Sequence, residues 1–427
     1  MTENQLRRRL QRMKESGMIT RGNKLQAANN KKGVLGLFPG EEVEAPSSSG
    51  KCLYRETAVP LSTMHGSLQL QSSLECTAAP LKLLMNDPPE KIHPREGVFL
   101  DLETTGLAGG TGTWAFLVGM GWYEDNRFRV RQYFLRQPPE EAALLEHFTG
   151  AAREFNTLIT FNGKSFDIPL LQDRMIMGGI RRGLFPELHI DLFHCCRRMW
   201  KNCLPECSLT SLEENLLGFH RSGDIPGEEI PQVYFNYLRR RETGRLKQVF
   251  EHNLHDIISL AALLGLIGNL ETEDFIQNAS PDELYSLGLL HWKYGSPDKA
   301  ENLFHLALER GGENGGTSSK IMFSLAKLYK QQHRWESAAR CWKILLQRGT
   351  RDTTPYVELA KIYEHRWKYT EEALRMTRQA LQIALRRYQV NGDGREIPLL
   401  RHRLQRLEKK AKTSNICKPE GPNLGEV

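Results

Sequence analysis

Residues 98–106 read VFLDLETTG, an apolar run that is interrupted by two carboxylates and ends in glycine. Successive side chains of a strand alternate between its faces, so Asp101 and Glu103 are predicted to project from the same face. Charges are rarely placed in an apolar strand without a partner. Paired carboxylates at a strand end suit a hard divalent cation such as Mg²⁺ or Mn²⁺. The alternative is a structural role in capping a loop.

The segments that follow this strand predict a mixed α/β domain. Two further strands lie at 113–123 and 127–136, and the EDNR turn between them indicates an antiparallel hairpin. An amphipathic helix, a strand in NTLITFNG, a helix over 165–179 and a strand in LHIDLFH come next, and then helices only. This order predicts a mixed sheet flanked by helices, as expected of a ribonuclease H-like fold.

Length and composition restrict the class of protein. A chain of 427 residues is expected to form two or three units, and 40% hydrophobic with 26% charged residues is typical of soluble proteins. The sequence contains no apolar run of about 18 residues and no secretory signal pattern, which argues against a membrane protein. The eight cysteines are scattered, so a reducing, cytoplasmic location is predicted.

The net charge of +7 is unevenly distributed along the chain. Residues 1–40 carry nine Lys or Arg against Glu3 and Glu15, within a region (1–92) that is predicted to be largely flexible. A second basic run extends from Arg386 to Lys412, in a helical or flexible tail over 391–427. Such segments either contact nucleic-acid phosphates or remain solvated arms.

An internal repeat marks the region 280–390. The pair formed by leucine and a small residue recurs at Leu287, Leu325 and Leu359, at offsets of 38 and 34 residues. Alanines and aromatic residues follow at matching positions, which indicates helix–turn–helix units of the tetratricopeptide type. An all-α solenoid is predicted here, the alternative being an unrelated helical bundle.

Two further acids stand out. Asp167 lies in FNGKSFDIPLLQDR, where its structural alternative is to cap the helix that follows. Asp256 lies in EHNLHDIISLAALL, on an otherwise apolar helix, where an acid is costly unless a cation or donor meets it. With Asp101 and Glu103 they make a four-carboxylate constellation.

These motifs resemble a known superfamily. DLETTG, FNGKSFDIPLL and HNLHD are similar to the three exonuclease motifs of the DEDD (DnaQ-like) nucleases, on a ribonuclease H-like fold. The middle motif is especially similar to that of the proofreading exonuclease of family B polymerases. Together with SLTSLEENLLGFHR, DIPGEEIP and the repeats, the chain resembles the bacterial YprB-type predicted exonucleases. The nuclease resemblance covers about residues 95–270, within a domain predicted at 93–272.

The resemblance implies two-metal hydrolysis of phosphodiester bonds. Asp101, Glu103, Asp167 and Asp256 would hold two Mg²⁺ or Mn²⁺ ions. The implied activity is a 3′-to-5′ exonuclease acting on single-stranded DNA or RNA, with the repeats binding a protein partner. Two alternatives remain open, namely an inactive adaptor and a structure-specific endonuclease of the same fold.

The water-positioning residue departs from the superfamily pattern. Members have a tyrosine four residues, or a histidine five residues, before the last aspartate. Here His252 stands four before Asp256, and Glu251 five before. Four residues are one helical turn, so His252 shares a face with Asp256 and is predicted to position the water, in preference to His255. The alternative is that His252 donates to a carboxylate.

Substrate contacts are less strongly indicated. Thr104 and Asn162 are candidates, although Asn162 would equally brace its turn. Arg221 and Tyr234 are weaker candidates for phosphate contact and are not predicted to be catalytic.

The cysteines at 195, 196, 203 and 207 do not have the paired CxxC spacing of a zinc or iron–sulfur site. They are predicted to be small buried thiols.

Overall fold

The computed structural model describes residues 40–45, 50–106, 112–180, 186–311 and 316–416. The basic segment in the first 39 residues therefore lies outside the described residues, as does the end of the tail from 417. The chain divides into two compact units, Met1–Gln277 and Asn278–Val427.

A seven-stranded sheet forms the centre of the first unit, in the order β1-β2-β7-β6-β5-β8-β9, beside a β3-β4 ribbon. Pairing is antiparallel except for β5–β8 and β8–β9, which are parallel. The mixed sheet that the sequence predicts is thus confirmed. The strands are β1 Glu41–Glu44, β2 Lys51–Pro60, β3 Met64–His65, β4 Leu68–Gln69, β5 Gly97–Thr104, β6 Ala115–Glu124, β7 Arg127–Phe134, β8 Thr157–Thr160 and β9 Leu188–Asp191.

The first unit also contains eight described helices. In the segment LHIDLFH the strand ends at Asp191, and a helix begins at the next residue, Leu192. The helices are α1 Ala78–Leu84, α2 Glu141–Ala152, α3 Asp167–Met177, α4 Leu192–Trp200, α5 Leu209–Leu212, α6 Ile230–Arg240, α7 Leu246–Gly268 and α8 Glu273–Asn278. Single 3₁₀ turns lie at Leu70–Glu75, Pro94–Glu96, Pro138–Glu140 and Gly227–Glu229, and a π-helical turn at Glu213–Leu217.

The expectation of a largely flexible region before residue 93 is wrong for its described part. β1 and β2 extend the sheet, and β2 pairs with β7 from Leu53 opposite Phe134 to Pro60 opposite Arg127. Within β2 only Cys52 and Leu53 are fully buried. A strand with so little apolar alternation carries almost no period-two signal, and the sequence pattern therefore does not reveal it.

Helix α7 lies directly on the sheet because two residues of β6 lack side chains. A Cβ on Gly119 would lie 2.3 Å from Asn253 Oδ1, and one on Gly121 would lie 2.5 Å from Ile257 Cγ2. Both distances are far below van der Waals contact. The two glycines therefore permit the close approach that brings the polar residues of α7 next to β5.

Tyr234 is a core residue. It is fully buried, stacks on Phe116 with 4.1 Å between ring centroids, and donates its hydroxyl to the Leu135 carbonyl at 2.9 Å. The idea that Tyr234 contacts phosphate is thus wrong.

The second unit is helical, as the sequence predicts, and its consecutive helices pack in pairs. Leu287, Leu325 and Leu359 are buried at equivalent places. The assignment to the tetratricopeptide class, with its boundaries at 280 and 390, stays a prediction. The helices are α9 Pro281–Lys293, α10 Pro297–Gly311, α11 Ser318–Gln331, α12 Trp335–Gln347, α13 Thr354–Ile362, α14 Thr370–Asn391 and α15 Ile397–Ile416.

Small residues allow these helices to pair closely. A Cβ on Gly288 of α9 would lie 2.6 Å from the ring of Phe304 on α10. A π-helical turn at Tyr363–Trp367 ends the α13 segment. Among the helices described, none is long and apolar enough to span a membrane.

Candidate metal centre

Asp101 and Glu103 lie on β5, the strand between β6 and β8. The Asp101 carboxylate accepts a hydrogen bond of 2.9 Å from Asn253 Nδ2 on α7, while Asn253 Oδ1 accepts one of 2.9 Å from Gln132 Nε2. Asn253 is fully buried. The orientation of Asp101 is therefore set by a polar chain that runs from β7 through α7 to β5.

Glu103, His252 and Asp256 form a group suited to a cation. Each offers one ligand atom, and these atoms all lie within 4.8 Å of one another. Glu103 is 8% exposed, and its Oε1 is buried with no hydrogen-bond partner among the described residues. A buried, unpaired carboxylate oxygen is costly unless a donor or cation meets it. This arrangement fits a divalent ion.

The charges of the four predicted acids influence one another's pKa values. Burial raises the pKa of Asp101 well above its usual value, and the charges of Asp256 and Asp167 raise it further. The pKa of Glu103 is raised in the same way, by burial first and then by Asp101 and Asp256. Carboxylates with raised pKa values that repel one another are stabilised by a bound cation. The charges of Asp101 and Asp167 thus act on Glu103. Their carboxylate oxygens are not part of the group formed by Glu103, His252 and Asp256.

Asp167 is the first residue of α3. Burial raises the pKa of Asp167 to about 7, with contributions from Asp191 and Asp256. Phe166 occupies the N-cap position of α3, and within the described part of the chain no side-chain hydrogen bond caps this helix. An acid in the first turn also interacts favourably with the helix dipole.

Asp191 is a site residue that the sequence analysis did not single out. Its carboxylate accepts backbone N–H bonds from Asn162 at 2.8 Å, Lys164 at 3.0 Å and Phe193 at 3.2 Å. It therefore holds the turn between β8 and α3 in place, including Asn162 at φ 62°. The available signal was an acid ending the apolar segment LHID, the same kind of signal that identified Asp101.

The two predicted substrate contacts lie in turns beside the acids. Thr104 ends β5 and donates its hydroxyl to the Gly106 carbonyl at 3.1 Å. Asn162 has its backbone N–H engaged by Asp191, which supports the bracing role for its turn. A substrate role for either residue stays a prediction.

His252 lies between two aspartates. Its Nδ1 is 2.9 Å from both carboxylate oxygens of Asp224, and its Nε2 is 3.4 Å from Asp256 Oδ2. Burial tends to raise the pKa of Asp224, but the hydrogen bond with His252 and the charges nearby hold it below its usual value. An ionised Asp224 favours the tautomer with the proton on Nδ1. Nε2 lies on the side of Glu103 and Asp256.

Arg221 connects the carboxylates of this region and is almost fully buried. Its Nε and Nη2 bond Glu213 at 2.7 and 2.6 Å, and its Nη1 bonds Asp224 at 3.1 Å. Nη2 also donates to Asp256. The guanidinium is thus occupied by three carboxylates, and the expectation of a phosphate contact by Arg221 has no support in this geometry.

Glu213 and Asp224 were missed by the sequence analysis, although both lie in segments that carry the family resemblance. Glu213 begins the π-helical turn and is fully buried. It also accepts a hydrogen bond from Ser259 on α7, whose hydroxyl lies 2.7 Å from His65 Nε2. A buried acid in SLEENLLG could be recognised only by pairing it with Arg221, eight residues away.

Among the described residues, the cysteines at 195, 196, 203 and 207 are not part of a group with metal-ligand spacing. Cys195 and Cys196 of α4 are 1% and 0% exposed, as the sequence predicts, and Cys203 and Cys207 are half-buried. Within the described part of the chain, the group that meets the metal spacing comprises Glu103, His252 and Asp256.

Comparison with known proteins agrees with this fold. A family model described as the RNase_H superfamily matches residues 98–267. The chain is also 31% identical over 393 residues to "Uncharacterized protein YprB" of Bacillus subtilis (strain 168), which covers 89% of this chain and 94% of that protein. The chain thus contains a ribonuclease H-like domain, a fold class associated with nucleases. It belongs to the YprB family.

A solved structure was also matched, the crystal structure of BtubC (BKLC) from P. vanneervenii. It aligns with a TM-score of 0.22 and 18% identity, covering 44% of this chain and 92% of that chain. A likeness at that TM-score supports no argument about fold or function.

Proposed function

We propose that this protein is a divalent-metal-dependent 3′-to-5′ exonuclease that hydrolyses single-stranded DNA or RNA. The observation that carries the proposal is the convergence of Glu103, His252 and Asp256 within 4.8 Å around a buried, unpaired carboxylate oxygen. The ribonuclease H-like domain supports action on a nucleic acid.

Asp101, Glu103, Asp167 and Asp256 would hold two Mg²⁺ or Mn²⁺ ions. Such ions supply activation of a water molecule and stabilisation of the leaving oxygen during in-line displacement. The protein's contribution is to hold the carboxylates rigidly. Asn253 fixes Asp101, and one strand, β5, carries both Asp101 and Glu103.

His252 would orient the attacking water and accept its proton at Nε2. Asp224 supports this role because it holds the proton on Nδ1 and fixes the plane of the ring. The same geometry would let Nε2 coordinate an ion directly. Both roles require the same tautomer.

The helical second unit is proposed to be a tetratricopeptide-like solenoid that binds a protein partner. Its support is the repeat of small residues at helix contacts, where Ala300 and Ala338 are fully buried.

An inactive adaptor is the second candidate, and one observation favours it. Arg221 donates to Asp256 and so supplies a positive charge at the acids without any ion. An adaptor could retain the four carboxylates for this structural reason alone.

A cleavage assay separates these functions. We expect 5′-labelled single-stranded DNA or RNA to be shortened stepwise in Mn²⁺ or Mg²⁺, because hydrolysis begins at the 3′ end. Discrete internal products would instead indicate an endonuclease. The absence of metal-dependent cleavage on every substrate would overturn the proposal and favour the adaptor.

The His252 assignment can be tested separately. We expect His252→Asn to reduce kcat by about 10²- to 10⁴-fold, the range for loss of a general base. Asp224→Asn should cost about 10- to 100-fold, because it disturbs only the orientation and tautomer of His252. A matched control is His93→Asn, which changes an exposed histidine ahead of β5. Unchanged kcat in His252→Asn would contradict the role.

A further inference from the structure

A cleft of about 570 Å³ lies beside the candidate metal centre, between α1, α4 and the turn that joins β8 to α3. Its basic lining residues are Lys164, Arg197, Arg198 and Lys201, and we call it the basic cleft. Lys164, Arg197 and Lys201 are exposed. The sequence analysis assigned no role to any of these cations.

The acids in the same lining do not cancel this charge. The cleft contains two of them, Asp87 and Asp191. The carboxylate of Asp191 is engaged by three backbone N–H groups and is 3% exposed. Asp87 is exposed and faces four cations, so the cleft has an excess of positive charge. A concave basic surface attracts polyanions such as nucleic acids.

The cleft is a built feature of the fold. The Arg198 guanidinium donates to the Leu84 carbonyl at 2.7 Å and to Asn86 Oδ1 at 2.8 Å. These bonds hold the segment after α1 against α4. That segment and α4 form two facing walls of the cleft. Arg198 thus has a structural role, whereas Arg197 and Lys201 present their charges to solvent. The guanidinium of Arg197 lies 6.0 Å from the Phe193 ring.

The cleft adjoins the acids through one short turn. The Lys164 backbone N–H donates to Asp191 Oδ2 at 3.0 Å, and Lys164 precedes Asp167 by three residues. A strand whose end lies at the carboxylates would therefore pass this turn on its way to the cleft.

We propose that the basic cleft binds backbone phosphates of the single-stranded nucleic acid, on the 5′ side of the bond that is cleaved. This inference rests on the proposed function and extends it with a binding site. The site contributes affinity without base specificity, because lysine and arginine here meet phosphates.

A charge-reversal pair tests the cleft. In Arg197→Glu/Lys201→Glu we expect the Kd for a fluorescein-labelled oligothymidylate, measured by anisotropy in Ca²⁺, to rise at least about tenfold. The slope of log Kd against log salt should fall by about 1.4, at roughly 0.7 per lost phosphate contact. The matched control is Arg239→Glu/Arg240→Glu, which reverses two exposed charges at the end of α6. Arg239 lies 6.0 Å from the Phe235 ring, as Arg197 does from Phe193.

The outcomes separate this inference from the proposed function. Equal Kd values for the two variants, or no binding by the unaltered protein, would overturn the cleft assignment whether or not cleavage occurs. Hydrolysis of thymidine 5′-monophosphate p-nitrophenyl ester, which is too short to reach the cleft, should keep its kcat/KM in Arg197→Glu/Lys201→Glu. Loss of that activity would also overturn the assignment, since it would show damage to the metal centre. Failure of the proposed function would appear separately, as no metal-dependent cleavage by the unaltered protein despite binding.

Discussion

Asp101→Asn is expected to reduce metal-dependent cleavage by about 10³-fold or more, as for loss of a preorganised electrostatic group. The same substitution should stabilise the metal-free protein. The Asp101 carboxylate lies within reach of the charges of Asp256 and Asp167, which together with burial raise its pKa. Asparagine removes this repulsion, and its Oδ1 can still accept the hydrogen bond from Asn253. Activity and stability therefore change in opposite directions.

The pH dependence of stability follows from the raised pKa. Between the ordinary carboxyl pKa of about 4 and the higher folded value, the folded protein binds a proton that the unfolded chain has released. In that window stability falls as pH rises. The metal-free protein should thus lose stability on going from pH 4 toward neutrality. The Asp101→Asn variant should lose less stability over the same pH range. Thermal unfolding in EDTA at several pH values measures both.

The control for this prediction is Asp173→Asn, which makes the same change at an exposed position of α3. It should leave cleavage and the pH profile unchanged. The assignment of Asp101 would fail if Asp101→Asn retained full cleavage, or if Mg²⁺ raised the Tm of that variant as much as it raises the Tm of the unaltered protein.

Arg221→Met is expected to lower the free energy of unfolding of the first unit by about 3–5 kcal/mol, the cost of breaking a buried ion pair. Glu213 has no exposed side-chain surface, and the Arg221 side chain is 5% exposed. Methionine removes the guanidinium from Glu213, Asp224 and Asp256 together. The uncompensated charges of these carboxylates would then remain in a buried site. Calorimetry should show a Tm lower by on the order of 10 °C for this unit.

Arg245→Met is the matched control for that experiment. Arg245 pairs with Glu229 at 2.7 Å, but the two side chains are 51% and 46% exposed. Exposed pairs contribute about 0–1 kcal/mol, so the Tm should barely change. A similar decrease in Tm in both variants would show that Arg221 does not stabilise the protein through buried ion pairs. The double variant Arg221→Met/Glu213→Gln should recover part of the lost stability, because it removes the orphaned charge as well.

The acidic site was largely predictable because its signals are local. The alternation of β5 placed Asp101 and Glu103 on one face, and an acid within the apolar helix at Asp256 required a partner. The spacing of His252 from Asp256, one helical turn, predicted their proximity, and Nε2 lies 3.4 Å from Asp256 Oδ2. The strands β1 and β2 were missed because only Cys52 and Leu53 of β2 are fully buried.

The residues that support the acids could not be read from the chain. Asp191, Glu213 and Asp224 are ordinary acids in sequence. Their roles arise from contacts with the 162–164 turn, Arg221 and His252 across long sequence separations.

The sequence by itself determined the class of fold and the helical nature of the second half, and it singled out the four acids as candidates, because hydrophobic periodicity and carboxylates within apolar segments are local properties. Only the tertiary structure decided which atoms meet. Gly119 lets α7 approach β5, and Asn253 and Arg221 then orient Asp101 and Asp256. Hydrogen bonds and charge interactions depend on distances of a few ångströms between residues far apart in the chain, and no local pattern encodes those distances.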